Sequence, residues 1–143
     1  MMRYVTHLGG ATFTTLVSVL LLLSDDFRVV GLLTAAANAF SHVAVQVLKR
    51  TVVRARPLDA NGNSVALVAV PDPYSFPSGH SSAAFALAIP IALSYPLLAP
   101  PLLSLATLIA ASRVTLKVHH LSDVIVGAAL GAAAGISVFL IGT

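Results

Sequence analysis

Two histidines, two cations and an aspartate lie close together in the segment Ser112–Asp123, between two long apolar runs. If the helix that follows extends back to His119, then His119 and Asp123 lie one turn apart on the same helical face. The carboxylate could then hold one imidazole N–H, which would fix the tautomer and leave the other nitrogen as a nucleophile. The alternative is a polar helix cap with a chance i, i+4 pair, and this segment alone does not decide between the two.

A second polar segment, Lys49–Pro57, closes an earlier apolar run and carries four cations. Lys49 and Arg56 are separated by two helical turns and can share a face. The alternative is a positively charged anchor or a patch that binds lipid headgroups. The spacing of the cations alone favours that alternative.

A third polar segment, Pro77–His80, opens another apolar run. Proline and serine are typical of a helix start, and Gly79 lets a ligand approach the backbone closely. Free amides at a helix start, with the helix dipole behind them, favour an anion such as phosphate. His80 would then lie beside that anion. The alternative is an N-cap with a histidine at the membrane interface.

The composition of the chain is that of a membrane protein. Only 9% of its 143 residues are charged and 57% are hydrophobic, whereas a soluble domain carries about 25% charged residues. We expect an all-α, multi-pass helical bundle of about five transmembrane helices, forming a single domain over residues 1–143 in the cell membrane. The predicted spans are Val5–Ser24, Phe27–Leu48, Phe76–Tyr95, Leu97–Ser112 and Leu121–Ile141. The absence of cysteine excludes disulfides and cysteine–zinc sites.

Five alternating spans place all three polar segments on one face of the membrane. Three permanent cations, Lys49, Arg56 and Arg113, then lie beside an amide-rich helix start and two histidines. This combination suits phosphoryl chemistry better than a membrane anchor. The long loop Leu58–Phe76 contains two turn signals, and we expect it to lie over the cationic site and to help select the substrate. A disordered connection is the alternative for this loop.

The three polar segments resemble the three-part signature of the type 2 phosphatidic acid phosphatase family, which includes bacterial lipid phosphate and undecaprenyl diphosphate phosphatases. The matching positions are Lys49 with Arg56 and Pro57, then Pro77, Ser78, Gly79 and His80, and finally Ser112 and Arg113 with His119 and Asp123. Each part alone is a weak signal, but the ordered triple is highly specific.

The resemblance implies a lipid phosphatase that acts on a phosphatidate, phosphatidylglycerophosphate or prenyl (di)phosphate. It implies that His119 is the nucleophile and forms a phosphohistidine, that Asp123 orients His119, and that His80 is the general acid. The implied phosphate-binding residues are Lys49, Arg56, Ser78, Gly79 and Arg113.

We expect catalysis without a metal or another cofactor, because three fixed cations could replace metal ions. Asp25 and Asp26 are predicted on the opposite face and Asp123 is engaged, so no carboxylate cluster is expected at the site. The expected partners are a lipid phosphate substrate and membrane lipids, with no nucleic acid. Two alternatives are a lipid phosphotransferase, in which an alcohol replaces water, and a catalytically silent protein that binds anionic lipids.

Small residues recur along the last span at Gly127, Gly131 and Gly135. This stripe permits close helix packing, either inside the chain or in a possible homodimer. Family members typically have six spans, and their signature begins after the third. Here it begins after the second, so we expect the N-terminal residues on the active-site face. Which side of the membrane that face occupies stays open.

Overall fold

The structure is a computed structural model that describes residues 2–70 and 72–142, and these residues form six α-helices and no strand. The helices are α1 (Met2–Val5), α2 (Ala11–Leu23), α3 (Arg28–Val52), α4 (Gly79–Ser94), α5 (Ala99–Thr115) and α6 (Leu121–Gly142). Short 3₁₀ turns at Thr6–Gly9, Asp25–Phe27 and Pro96–Leu98 join neighbouring helices. The predicted all-α class is therefore confirmed.

Several of these segments are long and apolar enough to cross a membrane. By length and composition these are Asp25–Val52, Pro96–Thr115 and Leu121–Gly142, with the bent pair Met2–Gly9 and Ala11–Leu23 as a possible fourth span. Helix α4 has 16 residues and falls short of the usual length, although it corresponds to the third predicted span. The fold is thus a membrane helical bundle whose five predicted spans match four long segments and one shorter helix.

The first predicted span, Val5–Ser24, is not one continuous helix. It bends by 55° between Gly9 and Ala11, where Gly10 has an extended backbone conformation. A side chain at Gly9 would collide with the side chain of Ile109 and crowd the backbone of His80. The break therefore lets the N-terminal residues cross the end of the bundle at close range, as expected for an N-terminus on the active-site face.

Helix α4 lies at the centre of the bundle, with α3, α5 and α6 packed around it. Its closest partner is α6, because Gly127, Gly131 and Gly135 are buried against it. A Cβ atom at these three positions would collide with Ser78, with Ser82 and with Ile89, respectively. The glycine stripe is therefore an internal packing face. The alternative of a homodimer through these glycines is not supported, because α4 already covers them.

This packing predicts that Gly131→Val destabilises the protein. The added side chain would meet the backbone of Ser82, and overpacking of this kind typically costs about 1–3 kcal/mol. We expect a lower unfolding temperature in detergent, measured by circular dichroism. Ala133→Val, at an exposed position on the same helix, is the matched control. Equal unfolding temperatures for the two variants would show that this interface is looser than the structure indicates.

In its described part, the loop after α3 folds back so that its last residues lie beside its first ones. Val53 ends α3 in a left-handed conformation (φ 48°), which is costly for a β-branched residue and turns the chain back over the bundle end. Ser75 then donates backbone and side-chain hydrogen bonds to the carbonyls of Arg54 and Ala55, each 2.8 Å long. Leu67 donates to the Leu116 carbonyl at 3.0 Å. The prediction that this loop covers the site is confirmed for its described part, since Pro71 lies outside the described residues.

Candidate active site

His119 is held in a single orientation by a backbone carbonyl. It lies before α6, and only 3% of its surface is exposed. Its Nδ1 is 2.6 Å from the Ser75 carbonyl oxygen, and a carbonyl can only accept, so Nδ1 carries the proton. Burial, together with the charges of Arg113 and Arg56, lowers the pKa of His119 below its usual value. The ring is therefore neutral at pH 7, with a lone pair on Nε2.

The i, i+4 spacing had suggested that Asp123 accepts a hydrogen bond from the imidazole N–H of His119. The structure shows no such hydrogen bond. Helix α6 begins at Leu121, so His119 is outside it, and the Asp123 Oδ2 is 3.8 Å from Nδ1. That oxygen instead accepts from the His120 N–H at 2.8 Å, which caps the helix start as in a capping box. The cap interpretation therefore describes the contacts of Asp123.

Arg54, which the sequence analysis did not assign to the site, is the partner of Asp123. Its Nη1 donates to Asp123 Oδ1 at 2.8 Å and to the Ser122 hydroxyl at 2.7 Å. Asp123 is completely buried, so this ion pair compensates a carboxylate that water cannot reach. The pair also joins the polar segment Lys49–Pro57 to the polar segment Ser112–Asp123.

Replacing Arg54 with glutamine is therefore expected to destabilise the protein. Loss of a charged partner from a buried acceptor typically costs about 1–3 kcal/mol, and the start of α6 beside His119 should loosen. Unfolding temperature and phosphate-release rate should both fall. Arg50→Gln, which removes an exposed cation at the end of α3, should change neither. If both variants behaved like the native chain, Arg54 would have no role in supporting Asp123.

Arg56 reaches the nucleophilic nitrogen. Its Nη1 donates to the Val118 carbonyl at 2.8 Å and lies 3.5 Å from His119 Nε2. Only 9% of Arg56 is exposed, so its charge acts in a poorly solvated setting where electrostatic interactions are strong. A phosphoryl group next to Nε2 would therefore be within reach of this guanidinium.

Arg113, in the last turn of α5, is a further cation of the site. It is buried, and its Nη1 donates to the hydroxyl of Thr6 in the N-terminal segment. Its Nε is one of two buried side-chain polar atoms that lack a hydrogen-bond partner in the described part of the chain, and Ser82 Oγ is the other. A buried donor without a partner is costly, so this N–H is available to a substrate oxygen.

The start of α4 supplies amides and a second histidine. Ser78 caps the helix and accepts from the N–H and the hydroxyl of Ser81. The amides of Gly79 and His80 belong to the first turn, which has no intrahelical acceptors. The Ser78 N–H donates to the Asp123 carbonyl at 2.9 Å, which fixes this helix start against α6. Gly79 and His80 are half-buried.

Both histidines face the same set of charges. Arg113, Arg56 and Lys49 act electrostatically on the imidazole of His80 and on that of His119. The three polar segments therefore meet at one end of the bundle, as the topology predicted. All the predicted site residues come together there, although Lys49 is directed at Asp72 and Asp123 at Arg54.

Besides Arg54, three further contributors to this site were missed in the sequence: Thr6, Asp72 and Ser75. Thr6 and Ser75 act through a hydroxyl and a backbone carbonyl, which have no sequence signature. Asp72 did carry a signal, because it is an acid within a Pro-Asp-Pro turn of a loop expected to lie over cations.

Comparison with known families settles the relationship that the signature indicated. The sequence profile of the PAP2 superfamily matches residues 28–143. The chain belongs to the PAP2 superfamily. The match begins at α3 and contains all three polar segments, so the PAP2 resemblance of the signature residues is confirmed at the level of the family.

Two solved PAP2-type structures share this fold. One is a transmembrane PAP2-type phosphatidylglycerolphosphate phosphatase from Bacillus subtilis, with a TM-score of 0.81 and 26% sequence identity over 98% of this chain and 74% of that chain. The other is LpxE from Aquifex aeolicus, with a TM-score of 0.81 and 26% identity over 97% of this chain and 83% of that chain. The PAP2 membrane fold therefore extends to the N-terminal residues outside the profile match.

Curated relatives share more sequence over part of their length. Decaprenylphosphoryl-5-phosphoribose phosphatase of Mycobacterium tuberculosis is 41% identical over 117 residues, which is 77% of this chain and 60% of the relative. The Mycolicibacterium smegmatis protein of the same name is 38% identical over 96 residues, 66% of this chain and 51% of the relative. The chain thus spans between half and two thirds of the length of these relatives.

Proposed function

We propose that this protein is an integral membrane phosphatase that removes a phosphoryl group from a lipid through a phosphohistidine at His119. The observation that carries the proposal is the environment of Nε2. The Ser75 carbonyl holds the opposite ring nitrogen at 2.6 Å, and Arg56 lies 3.5 Å from Nε2 itself. A neutral, oriented imidazole beside a buried guanidinium is suited to attack on phosphorus.

In the first step, Nε2 of His119 attacks phosphorus while the bond from phosphorus to the leaving oxygen breaks. Negative charge spreads over the equatorial oxygens, and the guanidiniums of Arg56 and Arg113 stabilise it without having to reorganise. The Ser78 hydroxyl and the Gly79 amide add hydrogen bonds from the start of α4. The charge of the bound phosphate dianion favours the protonated form of His80, which donates this proton to the departing oxygen.

In the second step, water attacks the phosphohistidine from the side that the leaving group vacated. His80, now neutral, accepts a proton from the water. The N–P bond breaks, its electron pair returns to Nε2, and inorganic phosphate leaves. Each histidine ends the cycle in its starting protonation state.

A cleft beside the site could hold the lipid chain. It has a volume of about 350 Å³, lies between α2, α3 and α4, and reaches Gly79. Several of its wall residues are polar, but Thr14, Ser18 and Asn38 donate to backbone carbonyls of their own helices. Side-chain donors satisfied in this way leave this part of the wall compatible with a hydrocarbon chain, whereas Ser82, which lines the same cleft, has an Oγ without a partner. His42 also lines this cleft.

The relatives narrow the substrate that we propose. The mycobacterial relatives are named for a phosphatase acting on a decaprenylphosphoryl phosphoribose. We propose the same general class here, a phosphate ester carried by an isoprenoid lipid. Other lipid phosphates and diphosphates are the alternatives for the test.

Catalysis without a metal is also part of this proposal. Within residues 2–70 and 72–142, no group of three or more histidine or acidic side chains is placed to hold a metal ion. The acids nearest the histidines, Asp72 and Asp123, are paired with Lys49, Arg56 and Arg54. The charge that a metal supplies in other phosphatases can come from Arg56 and Arg113.

The experiment is a phosphate-release panel on the purified full chain in lipid micelles with a chelator present. The panel contains a prenyl-phosphosugar phosphate, a prenyl monophosphate, a prenyl diphosphate, phosphatidate and phosphatidylglycerophosphate. The proposal expects phosphate release from at least one isoprenoid lipid by the native chain and none by His119→Ala. Transfer of phosphate to an added lipid alcohol would instead identify a phosphotransferase. Binding of anionic lipid without release would identify a silent binder.

A further inference from the structure

Asp72 lies among the cations of the site and binds two of them, Lys49 and Arg56. The Lys49 Nζ donates to both carboxylate oxygens, at 2.9 and 2.8 Å. The Arg56 Nη2 lies 3.4 Å from Asp72 Oδ1, and its Nε donates to the Asp72 backbone carbonyl at 2.9 Å. Although burial alone would raise it, the hydrogen bond and charge of Lys49 and the charge of Arg56 lower the pKa of Asp72. The carboxyl is therefore ionised at neutral pH.

Lys49 has no donor left for a ligand in this arrangement. An ammonium group has three N–H donors. Two of them serve the Asp72 carboxylate, and the third lies 3.3 Å from the Tyr74 carbonyl. Lys49 is 7% exposed, so water does not replace these partners. Lys49 and Asp72 thus form an internally compensated pair, in which Lys49 is buried and the Asp72 side chain is 32% exposed.

Asp72 is anchored as a fixed part of the site. Its Oδ1 accepts from the Tyr74 N–H at 2.9 Å, and Tyr74 forms a bridge with Ala55. The next residue, Ser75, holds His119. The short segment 72–75 therefore positions two cations and the nucleophile together, and moving Asp72 away would disturb all three.

The remaining positive charge of the site comes from Arg56 and Arg113. Three permanent cations and one carboxylate leave two uncompensated charges, apart from the proton that His80 passes to the leaving oxygen, and these two charges match the dianion of a phosphate monoester near neutral pH. A diphosphate carries further negative charge on its second phosphoryl group. In a buried site that excess would lack a partner, and an unpaired buried charge is costly.

We infer that Asp72 is a specificity-determining residue that makes this site select lipid phosphate monoesters over lipid diphosphates. Asp72 acts by neutralising Lys49 and by positioning Arg56. The inference rests on the proposed function, because it assigns the substrate class of that same site. It adds a residue that lies outside all three signature segments.

The first test measures binding rather than turnover. Full-length protein carrying His119→Ala, which prevents turnover, is titrated with inorganic phosphate and with pyrophosphate at neutral pH by isothermal titration calorimetry. With Asp72 intact, phosphate should bind at least as tightly as pyrophosphate. Tighter binding of pyrophosphate would overturn the inference, and this measurement needs no change at Asp72.

The second test adds Asp72→Asn to the same protein. Asparagine keeps the shape and one acceptor oxygen but removes the charge. Asp72→Asn removes the repulsion between the carboxylate and the additional negative charge of pyrophosphate. The ratio of the two affinities should therefore shift toward pyrophosphate by about tenfold. Asp72→Glu should restore the original ratio. Asp59→Asn, which neutralises an exposed acid in the same loop, should leave the ratio unchanged.

A purely structural role for Asp72 would weaken both ligands equally, so an unchanged ratio in Asp72→Asn would overturn the inference. In turnover, the preference in kcat/KM for a prenyl monophosphate over the corresponding diphosphate should fall in Asp72→Asn without the His119 change. If the native chain hydrolysed neither lipid while the binding ratio still shifted, the proposed function would fail and the selectivity of Asp72 would stand.

Discussion

His119→Ala is expected to reduce phosphate release from a lipid substrate by a factor on the order of 10⁴ or more, the scale on which loss of a covalent nucleophile acts. The reason is that no other side chain replaces Nε2. The Ser75 carbonyl accepts from Nδ1 and Arg56 lies beside Nε2, so alanine removes the ring that these two groups position. Initial rates in micelles with saturating substrate measure the effect.

The matched control for this prediction is His120→Ala. His120 is the next residue in the chain, and it contributes to the site through its backbone N–H, which donates to Asp123. Alanine preserves that donor, so most of the activity should remain. Comparable losses in the two variants would mean that the His119 result reflects disruption of this turn rather than loss of the nucleophile.

His80→Ala is expected to have the second-largest effect, and its size should depend on the leaving group. General acid catalysis is typically worth about 10²–10⁴ in rate, so hydrolysis of a lipid or sugar phosphate should fall within that range. An aryl phosphate with a nitrophenol leaving group needs little protonation. Its hydrolysis should be much less affected, and comparing kcat for the two substrate types measures the difference.

The leaving-group dependence is itself the control for His80. The backbone of His80 packs against Gly9, and a purely structural defect at this contact would slow both substrates by the same factor. An equal loss on the lipid and the nitrophenyl ester would therefore remove His80 from the role of general acid.

The convergence of the three polar segments was predictable because it follows from topology. Alternating apolar spans place every second connection on the same side, and the cations and histidines lie at those connections. Lys49, Arg56, His80, Arg113 and His119 are long or ring side chains near helix ends, so small errors in span boundaries do not separate them. The packing of the glycine stripe was also predictable, since small residues at intervals of four fit a close helix contact.

The partners of these side chains were not predictable to the same degree. The i, i+4 rule paired His119 with Asp123, but the rule applies only within a helix, and α6 begins two residues after His119. The Ser75 carbonyl that takes this role belongs to the backbone of a distant loop. Likewise, the break at Gly10 depends on the tight approach of Gly9 to α4 and α5, which hydropathy does not encode.

The central claim is that the imidazole of His119 becomes covalently phosphorylated during turnover. The direct measurement is rapid quenching of the native chain with a radiolabelled prenyl monophosphate, followed by alkaline digestion and mass spectrometry of the peptides. The account predicts an alkali-stable, acid-labile phosphate on His119 that forms no more slowly than phosphate is released. Phosphate on another residue, or a complete single turnover during which no phosphorylated protein forms, would contradict it.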